Sequence, residues 1–299
     1  MKLYAPSYYK DFKCIADKCR HSCCVGWEID IDKSTLDKYR GAMDGRAAEI
    51  ISSVELLDTP HFKLVGERCP HLDKKGLCRI ITELGEDYIP LICREHPRFY
   101  NTSGERVEVG LGLSCEEALR IVLSSDAYDD IIPIDMDPCQ EKCEKASEPA
   151  IRRRVFSILK DREMPYSDRL FAIYKELREP LKRATDEEWR DAFSNLEYLN
   201  EENRDLFSSF KSDISENESN TDILERFLAY LVYRHCHSGL LPHEEIASLG
   251  FALLLERLIA SVACAKGLLR EEIIDLARVI SLEIEYSEDN TEELKLNFY

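Results

Sequence analysis

Residues 14–24, CIADKCRHSCC, place four of the chain's 12 cysteines within one short segment. Four more follow between residues 69 and 115, so two thirds of the cysteines lie in the first 115 residues. In a chain without an export signal, such clustering indicates metal binding more often than disulfides. Scattered buried thiols, the simpler alternative, do not explain the clustering. We therefore predict a metal centre in this region. Its candidate ligands are Cys14, Cys19, Cys23, Cys24, Cys69, Cys78, Cys93 and Cys115.

The spacing leaves open which metal is bound and how many centres there are. Thiolates suit zinc or an iron–sulfur cluster; four complete one centre, and eight suffice for two. Cys23 and Cys24 are awkward as ligands of one metal, because neighbouring side chains usually point apart; one of them can bind a second centre or be structural. His21, His71 and His96 lie close to cysteines, and we interpret them as supporting or surface residues rather than ligands.

The patterns predict a mainly α protein in three parts. A small, irregular α+β, cysteine-rich metal-binding module is predicted at residues 1–125, a linker at 126–150 and a C-terminal helical bundle at 151–299. A turn at Asp73–Gly76 is expected to bring the flanking cysteines face to face, and residues 106–113 alternate like a strand. Thr185 and Glu188 form a predicted capping box at the start of a helix.

The four remaining cysteines lie outside this N-terminal group. Cys139 and Cys143, in the predicted linker, are either ligands or a helical surface pair. Cys236 and Cys264 occur in apolar helical patterns and are predicted core residues.

Composition argues against several classes of partner. The net charge is -18, from 40 basic and 58 acidic side chains, so the surface would repel a nucleic-acid backbone. The most basic stretch, residues 152–154, is interpreted as the solvated face of a helix. We see neither a run of about 18 apolar residues nor an apolar signal segment. We therefore expect a cytoplasmic protein that binds neither nucleic acid nor a membrane.

The common nucleotide-binding signals are absent from the sequence. It contains no P-loop and no glycine-rich dinucleotide loop. A radical-type trio of cysteines is also missing, because Gly26 stands where a third cysteine would follow Cys19 and Cys23. The residues alone therefore support a metal and assign no catalytic residue.

Several long segments resemble the flagellin lysine N-methylases. Near the start these are YYKDFKCIADKCRHSCCVGWEIDID, RCPHLDKKGLCRIITELGE, ICREHPRFY and RVEVGLGLSCEEALR; further on they are LVYRHC and SLEIEYSEDNTEEL. The resemblance is dense over the first 120 residues and patchy beyond them. The cysteine-rich portion is also similar to a wider group of small zinc- or iron-chelating proteins.

This resemblance implies an S-adenosylmethionine-dependent protein-lysine N-methyltransferase that methylates surface lysines of flagellin. It also implies a four-iron, four-sulfur (4Fe-4S) cluster on the cysteines, with zinc as the alternative. A second hypothesis remains open, namely a non-catalytic metal–sulfur protein that carries metal or electrons or assists another enzyme. The missing donor-binding loop favours this second hypothesis, whereas the long ordered resemblance favours the enzyme.

Methyl transfer to lysine would require a deprotonated amine held in line with the donor's methyl group. Arg94 and Arg98 are candidates to bind the donor carboxylate through paired hydrogen bonds; the alternative is a surface ion pair or a contact to the cysteine sulfurs. The general base is not identified. Candidate pocket residues are Tyr8, Tyr9, Tyr100 and Tyr233.

Overall fold

The computed structural model describes residues 2–41, 45–134, 148–177, 184–213 and 220–299. Internal contacts divide the chain into two compact units. The cysteine unit comprises residues 13–99 and 115–117, and the helical unit comprises the chain up to Phe12, residues 100–114 and residues from Ala118 onward. The division predicted from the sequence differs, since it places residues 1–12, 100–114 and 118–125 with the cysteines. The predicted division into a metal-binding module, a linker and a helical domain stays a prediction. Cys139 and Cys143 lie outside the described residues.

The described residues form short strands and mostly helices. The strands are β1 Lys2–Pro6, β2 Val54–Glu55, β3 His61–Phe62, β4 Arg98–Ser103, β5 Arg106–Leu111 and β6 Ile131–Pro133. The α-helices are α1 Lys33–Gly41, α2 Gly45–Ser52, α3 Arg79–Leu84, α4 Leu91–Glu95, α5 Glu116–Leu123, α6 Ala150–Leu159, α7 Tyr166–Tyr174, α8 Asp186–Asn195, α9 Arg204–Phe207, α10 Thr221–His235, α11 Pro242–Lys266, α12 Arg270–Ile280 and α13 Glu288–Lys295.

The cysteine unit is built from short elements around a small apolar core. Tyr39 of α1, Phe62 of β3 and Ile80 of α3 are each 1% exposed and belong to this core. Asp32 is hydrogen-bonded to the N-termini of two helices. Its carboxylate accepts the main-chain N–H of Thr35 at 3.0 Å at the start of α1 and that of Leu91 at 2.9 Å at the start of α4. One side chain thus accepts hydrogen bonds from N-terminal N–H groups of two helices, which have no partner within their own helix.

The helical unit contains a mixed sheet with the strand order β4-β5-β1-β6. Strand β1 runs parallel to β5, with Leu3 opposite Val107, and antiparallel to β6, with Ala5 opposite Ile132. Its helices α10 and α11 pack along each other, and α6, α12 and α13 contact one or both of them.

Helix α11 is long and apolar enough to cross a membrane when judged by length and composition alone. However, 78% of its most apolar window is buried inside the protein, as in the core helix of a globular fold. Leu249, Phe251 and Leu255 of α11 have no exposed surface. We therefore interpret α11 as a core helix.

Several expectations from the sequence are confirmed. The chain is mainly α, the capping box of Thr185 and Glu188 begins α8, and the strand predicted at 106–113 is β5. Cys236 is fully buried, as predicted. That the cysteine-rich part is a metal module and that the C-terminal helices form a bundle both stay predictions.

Two expectations about buried and exposed residues are wrong. Arg152 does not belong to a solvated face, since it is 0% exposed and pairs with Glu108, which is 1% exposed. An arginine is buried only where a carboxylate pairs with it, and Glu108 is distant in the sequence. The run of three arginines therefore could not indicate that Arg152 is buried. Cys264, predicted to lie in the core, is exposed near the end of α11.

Candidate metal centre

Four of the candidate cysteines surround the core of the cysteine unit. Cys69 is 6% exposed and belongs to the core itself. Cys24, Cys78 and Cys93 are partly buried and pack against the same core. We call these four residues the inner cysteines. They come from four separate stretches of sequence, so only tertiary folding brings them together.

Backbone pairing explains how the inner cysteines meet. The N–H of Cys69 donates to the carbonyl of Cys24 at 2.8 Å, beside a β-bridge between Val25 and Arg68. A second bridge, between Leu72 and Cys78, closes the hairpin whose arms carry Cys69 and Cys78. The predicted turn at Asp73–Gly76 is thus confirmed.

This turn has a clear local cause. The Asp73 carboxylate accepts the main-chain N–H groups of Lys75 at 2.7 Å and Leu77 at 2.9 Å. Gly76 has a φ of +80°, which residues with a β-carbon rarely adopt. The sequence from 73 to 76 therefore holds Cys69 and Cys78 on facing arms.

The other four cysteines gather where residues 14–24 approach the start of α5. We call Cys14, Cys19, Cys23 and Cys115 the outer cysteines. Glu116, next to Cys115, accepts the main-chain N–H of Arg20 at 2.8 Å and its Nε at 2.9 Å. The thiol of Cys19 donates to the same carboxylate at 3.7 Å. Residues 19 and 20 are therefore linked to the immediate neighbour of Cys115.

Main-chain N–H groups point at several of the sulfurs. Cys69 accepts hydrogen bonds from the N–H groups two and three residues further on, and Cys78 does the same. Cys19 accepts one from the N–H of His21, and Cys14 accepts one from Ala16 at 3.4 Å. Hydrogen bonds to the charged form stabilise a thiolate. Because thiolates are the form that binds a metal, these hydrogen bonds would favour the ligand form of the thiols.

Electrostatics favour a cation among these thiols. Burial raises the pKa of Cys19 to about 11 and that of Cys69 to about 12. Burial, and then the charges of Cys24, Cys69 and Cys78, raise the pKa of the Cys93 thiol well above its usual range. Several buried thiolates so close together repel one another. A bound cation would remove this penalty, and its binding would release the protons.

Cys23 and Cys24 form the contact between the two groups. A hydrogen bond between their side chains raises the pKa of Cys23 and lowers that of Cys24. The charges of Cys93 and Cys115 also raise the pKa of Cys23. Cys23 thus lies near members of both groups.

The donor set fits a thiolate-bound metal, although the side chains are not arranged as ligands. Among residues 2–41, 45–134, 148–177, 184–213 and 220–299, no three side chains of His, Cys, Asp or Glu are placed closely enough to hold an ion. The described cysteines carry no disulfides. Soft sulfur donors in fours are the ligands of zinc and of iron–sulfur clusters. Metal binding by these residues therefore stays a prediction.

Two nearby histidines have other contacts. The Nε2 of His71 lies 2.9 Å from the hydroxyl of Ser53, and its ring packs edge-on against Phe62. The ring of His96 lies edge-on to Trp27, with centroids 6.5 Å apart. Burial lowers the pKa of both imidazoles to about 4, so both are neutral near pH 7. His21 contributes its main-chain N–H to the sulfur of Cys19.

Of the two candidate donor-binding arginines, Arg94 lies in α4 and Arg98 begins β4. The guanidinium of Arg94 donates to the carbonyl of Ile89 at 3.3 Å, and that of Arg98 donates to the carbonyl of Arg94 at 3.2 Å. Arg94 is exposed and lies next to Cys93 in α4. Both side chains therefore donate to main-chain carbonyls of their own segment. Donor binding by either arginine stays a prediction.

The candidate pocket tyrosines belong to the helical unit, not to the unit that carries the cysteines. Tyr233 is 1% exposed, and its hydroxyl donates to the carbonyl of Val109 at 3.0 Å. Tyr8 is buried, Tyr9 is partly buried and Tyr100 is 46% exposed. Tyr233 thus packs within the helical unit.

The sequence analysis missed a buried charged network in the helical unit. Glu285, in a π-helical turn at Ser281–Glu285, accepts a hydrogen bond from Tyr230 at 3.1 Å and lies 2.8 Å from Nε2 of His235. Burial opposes ionisation of Glu285, but Arg234 and His235 outweigh it and lower the pKa of the carboxyl. The network joins LVYRHC to SLEIEYSEDNTEEL, the two C-terminal segments singled out above. Both segments resemble the same family, and this was the one sequence signal that could have indicated a contact between them.

Comparisons with known proteins point to one group of relatives. The chain is 31% identical over 127 residues to the lysine-N-methylases of Salmonella choleraesuis and Salmonella typhimurium. It is 30% identical over 127 residues to the flagellar biosynthetic protein FliU of Salmonella muenchen. Each match covers 40% of this chain.

The share of each relative that is matched differs. The alignment spans 32% of each lysine-N-methylase, so the chain matches about a third of the length of those relatives. It spans 75% of FliU. No family model and no solved structure matches the chain.

Proposed function

Because the chain belongs to the flagellin lysine N-methylase family, we propose that it transfers methyl groups from S-adenosylmethionine to surface lysines of flagellin. The observation that carries this proposal is the match to proteins named lysine-N-methylase, together with coverage of three quarters of FliU. The enzyme class, the methyl donor and the protein substrate are all parts of the proposal.

The eight cysteines of the cysteine unit are the candidate ligands of the proposed metal, a 4Fe-4S cluster with zinc as the alternative, and four of them would complete one such centre. Support comes from the clustering of the thiols and from the main-chain N–H groups directed at Cys14, Cys19, Cys69 and Cys78. When bound, such a centre would hold the short elements of this unit together and offer an electrophilic anchor for the donor's amino and carboxylate groups.

The chain's own residues have three tasks in this reaction. Arg94 or Arg98 would bind the donor carboxylate through its guanidinium, since Arg94 follows Cys93 in α4 and Arg98 is hydrogen-bonded to the carbonyl of Arg94. The active site must exclude water around the substrate amine, because desolvation lowers the pKa of a lysine. It must also hold that nitrogen in line with the donor's methyl group.

We further propose that the protein acts in the cytoplasm. Flagellin is made there, and the apolar helix α11 is mostly buried in the protein. The net charge of -18 argues against a nucleic-acid partner.

The competing hypothesis is a non-catalytic metal–sulfur protein. It is favoured by the lack of a glycine-rich donor loop in the sequence. The size of the helical unit argues against the carrier hypothesis. A small metal carrier does not need so many residues beyond its metal site, whereas recognition of a protein substrate does.

Co-expression distinguishes the two hypotheses. Flagellin should be produced with and without this protein and weighed as the intact chain. Lysine-borne methyl groups that appear only with the wild-type protein, and not with Cys93→Ala or Cys19→Ala, would support the enzyme. These variants must retain wild-type helicity by circular dichroism. Unmodified flagellin beside a fully metal-loaded protein would favour the carrier.

A further inference from the structure

We propose that His235 and Glu285 form a pH-sensitive latch, which holds a π-helical turn against α10 at neutral pH and releases it in acid. Both residues lie in the helical unit. They join LVYRHC to SLEIEYSEDNTEEL, two segments to which the proposed function gives no task. The inference depends neither on methyl transfer nor on a bound metal.

The π-helical turn at Ser281–Glu285 is the element on which the latch acts. It continues directly from α12, and the N–H of Tyr286 donates to the carbonyl of Ser281, five residues earlier, at 3.2 Å. The π-helix is rare and occurs mostly as single turns, often at functional sites. Side-chain contacts must therefore favour it here over a continued α-helix.

Glu285 makes the contacts that hold this turn. Its carboxylate accepts a hydrogen bond from Tyr230 at 3.1 Å, and its Oε1 lies 2.8 Å from Nε2 of His235. Its main-chain carbonyl accepts from the guanidinium of Arg234 at 3.2 Å. All three partners lie towards the C-terminal end of α10. The turn is therefore held against one end of that helix by polar contacts.

The surroundings of His235 favour a neutral imidazole. The residue is 8% exposed, and its ring packs edge-on against Phe251 of α11, with centroids 4.9 Å apart. The charged groups that face it are Glu285 of the π turn, Arg234 of α10 and Lys295 of α13. Arg234 already balances the carboxylate of Glu285, with Nε and Oε1 3.5 Å apart. A proton on His235 would therefore add an uncompensated positive charge to a buried site.

The direction of the pH effect follows from these contacts. Burial lowers the pKa of His235 to about 4, whereas a free imidazole has a pKa of about 6.5. Between these values the opened site takes up a proton that the closed site does not. The stability that the latch contributes is therefore fully present above about pH 6.5 and is lost as the pH falls toward 4. Protonation of Glu285, whose pKa is also lowered, acts in the same direction.

Hydrogen exchange measures the opening of the latch directly. Main-chain exchange of residues 281–286 is followed by mass spectrometry in the full chain between about pH 6.5 and 4.5, after correction for the intrinsic exchange rate. His235→Gln can still donate a hydrogen bond to Glu285 but cannot take up a proton. The matched control is His243→Gln, which alters an exposed histidine of the same unit. The metal content is kept equal in all three proteins.

We expect the opening constant of the wild-type protein to rise roughly 40-fold more than that of His235→Gln over this range, which corresponds to the uptake of one proton. His243→Gln should behave like the wild type. Equal pH dependence in the wild type and a folded His235→Gln overturns the proposal. NMR of the histidine-labelled wild-type protein tests it without a variant. We expect a neutral His235 imidazole with its proton on Nε2 at about pH 6, and a His235 that titrates like a free imidazole in the folded chain overturns the latch.

Discussion

Replacement of Glu108 in β5 should strongly destabilise the helical unit. One carboxylate oxygen of Glu108 accepts from Arg106 at 2.7 Å, and the other accepts from Arg152 at 2.9 Å. Glu108 is 1% exposed, and Arg152 is 0% exposed. Glu108→Gln leaves two buried guanidinium groups without their shared carboxylate. Breaking a buried ion pair in this way costs about 3–5 kcal/mol of the free energy of unfolding.

The chain offers a matched control for this substitution. Glu148 contacts the same arginine, but its side chain is 28% exposed and its oxygen lies 3.3 Å from Nε of Arg152. Glu148→Gln removes the same charge from a partly solvated pair. We therefore expect a loss of only about 0–1 kcal/mol.

Fluorescence can follow the helical unit separately. The chain has two tryptophans: Trp27 in the cysteine unit, and Trp189, which is 7% exposed in α8. In a Trp27→Phe background, urea unfolding monitored at Trp189 reports the helical unit. At about 2–4 °C per kcal/mol, Glu108→Gln should also lower the Tm of this transition by roughly 6–20 °C. A shift for Glu108→Gln no larger than that of Glu148→Gln would refute the reasoning.

Three further outcomes are expected. Asp32→Asn should destabilise the cysteine unit by about 1 kcal/mol, because its carboxylate accepts two main-chain N–H groups at helix starts; unchanged Trp27-detected unfolding would contradict this. Burial alone would raise the pKa of Asp32, but hydrogen bonds from the hydroxyls of Ser34 and Thr35, and then from the N–H groups of Leu91 and Thr35, lower it. The difference from wild type should therefore shrink as the pH falls below about 4, and a pH-independent difference would exclude this cause. Stripping metal from the loaded protein should change Trp27 emission more than Trp189 emission, because the ligands lie in the cysteine unit, and an equal response contradicts that. Arg94→Lys or Arg98→Lys should raise the KM for S-adenosylmethionine about tenfold at constant metal content, since lysine cannot form the paired hydrogen bonds; unchanged KM in both would remove the arginines from donor binding.

The sequence predicted those parts of the fold that depend on neighbouring residues. The capping box of Thr185 and Glu188 and the turn at Asp73–Gly76 are local, and both are confirmed. The burial of Arg152 depends on its ion pair with Glu108, which is 44 positions away. No local sequence pattern indicates this pairing. Buried charges of this kind are visible only once the tertiary partner is known.

The candidate site shows the same limit. The density of cysteines identified which thiols to consider, because clustering is a property of the sequence itself. Their grouping depends on contacts between distant segments, such as Cys24 with Cys69 and Arg20 with Glu116. The pairing of Glu285 with His235 likewise required the fold, since 50 residues separate them.

The central claim is that this chain moves a methyl group from S-adenosylmethionine to lysine. The most direct measurement is to incubate the metal-loaded, purified chain with unmodified flagellin and S-adenosylmethionine deuterated at its methyl group, and then to sequence flagellin peptides by mass spectrometry. We predict deuterated methyl groups on lysine side chains, and none when the enzyme is omitted. Unlabelled lysines in the presence of fully loaded enzyme, donor and the cognate flagellin would contradict the account.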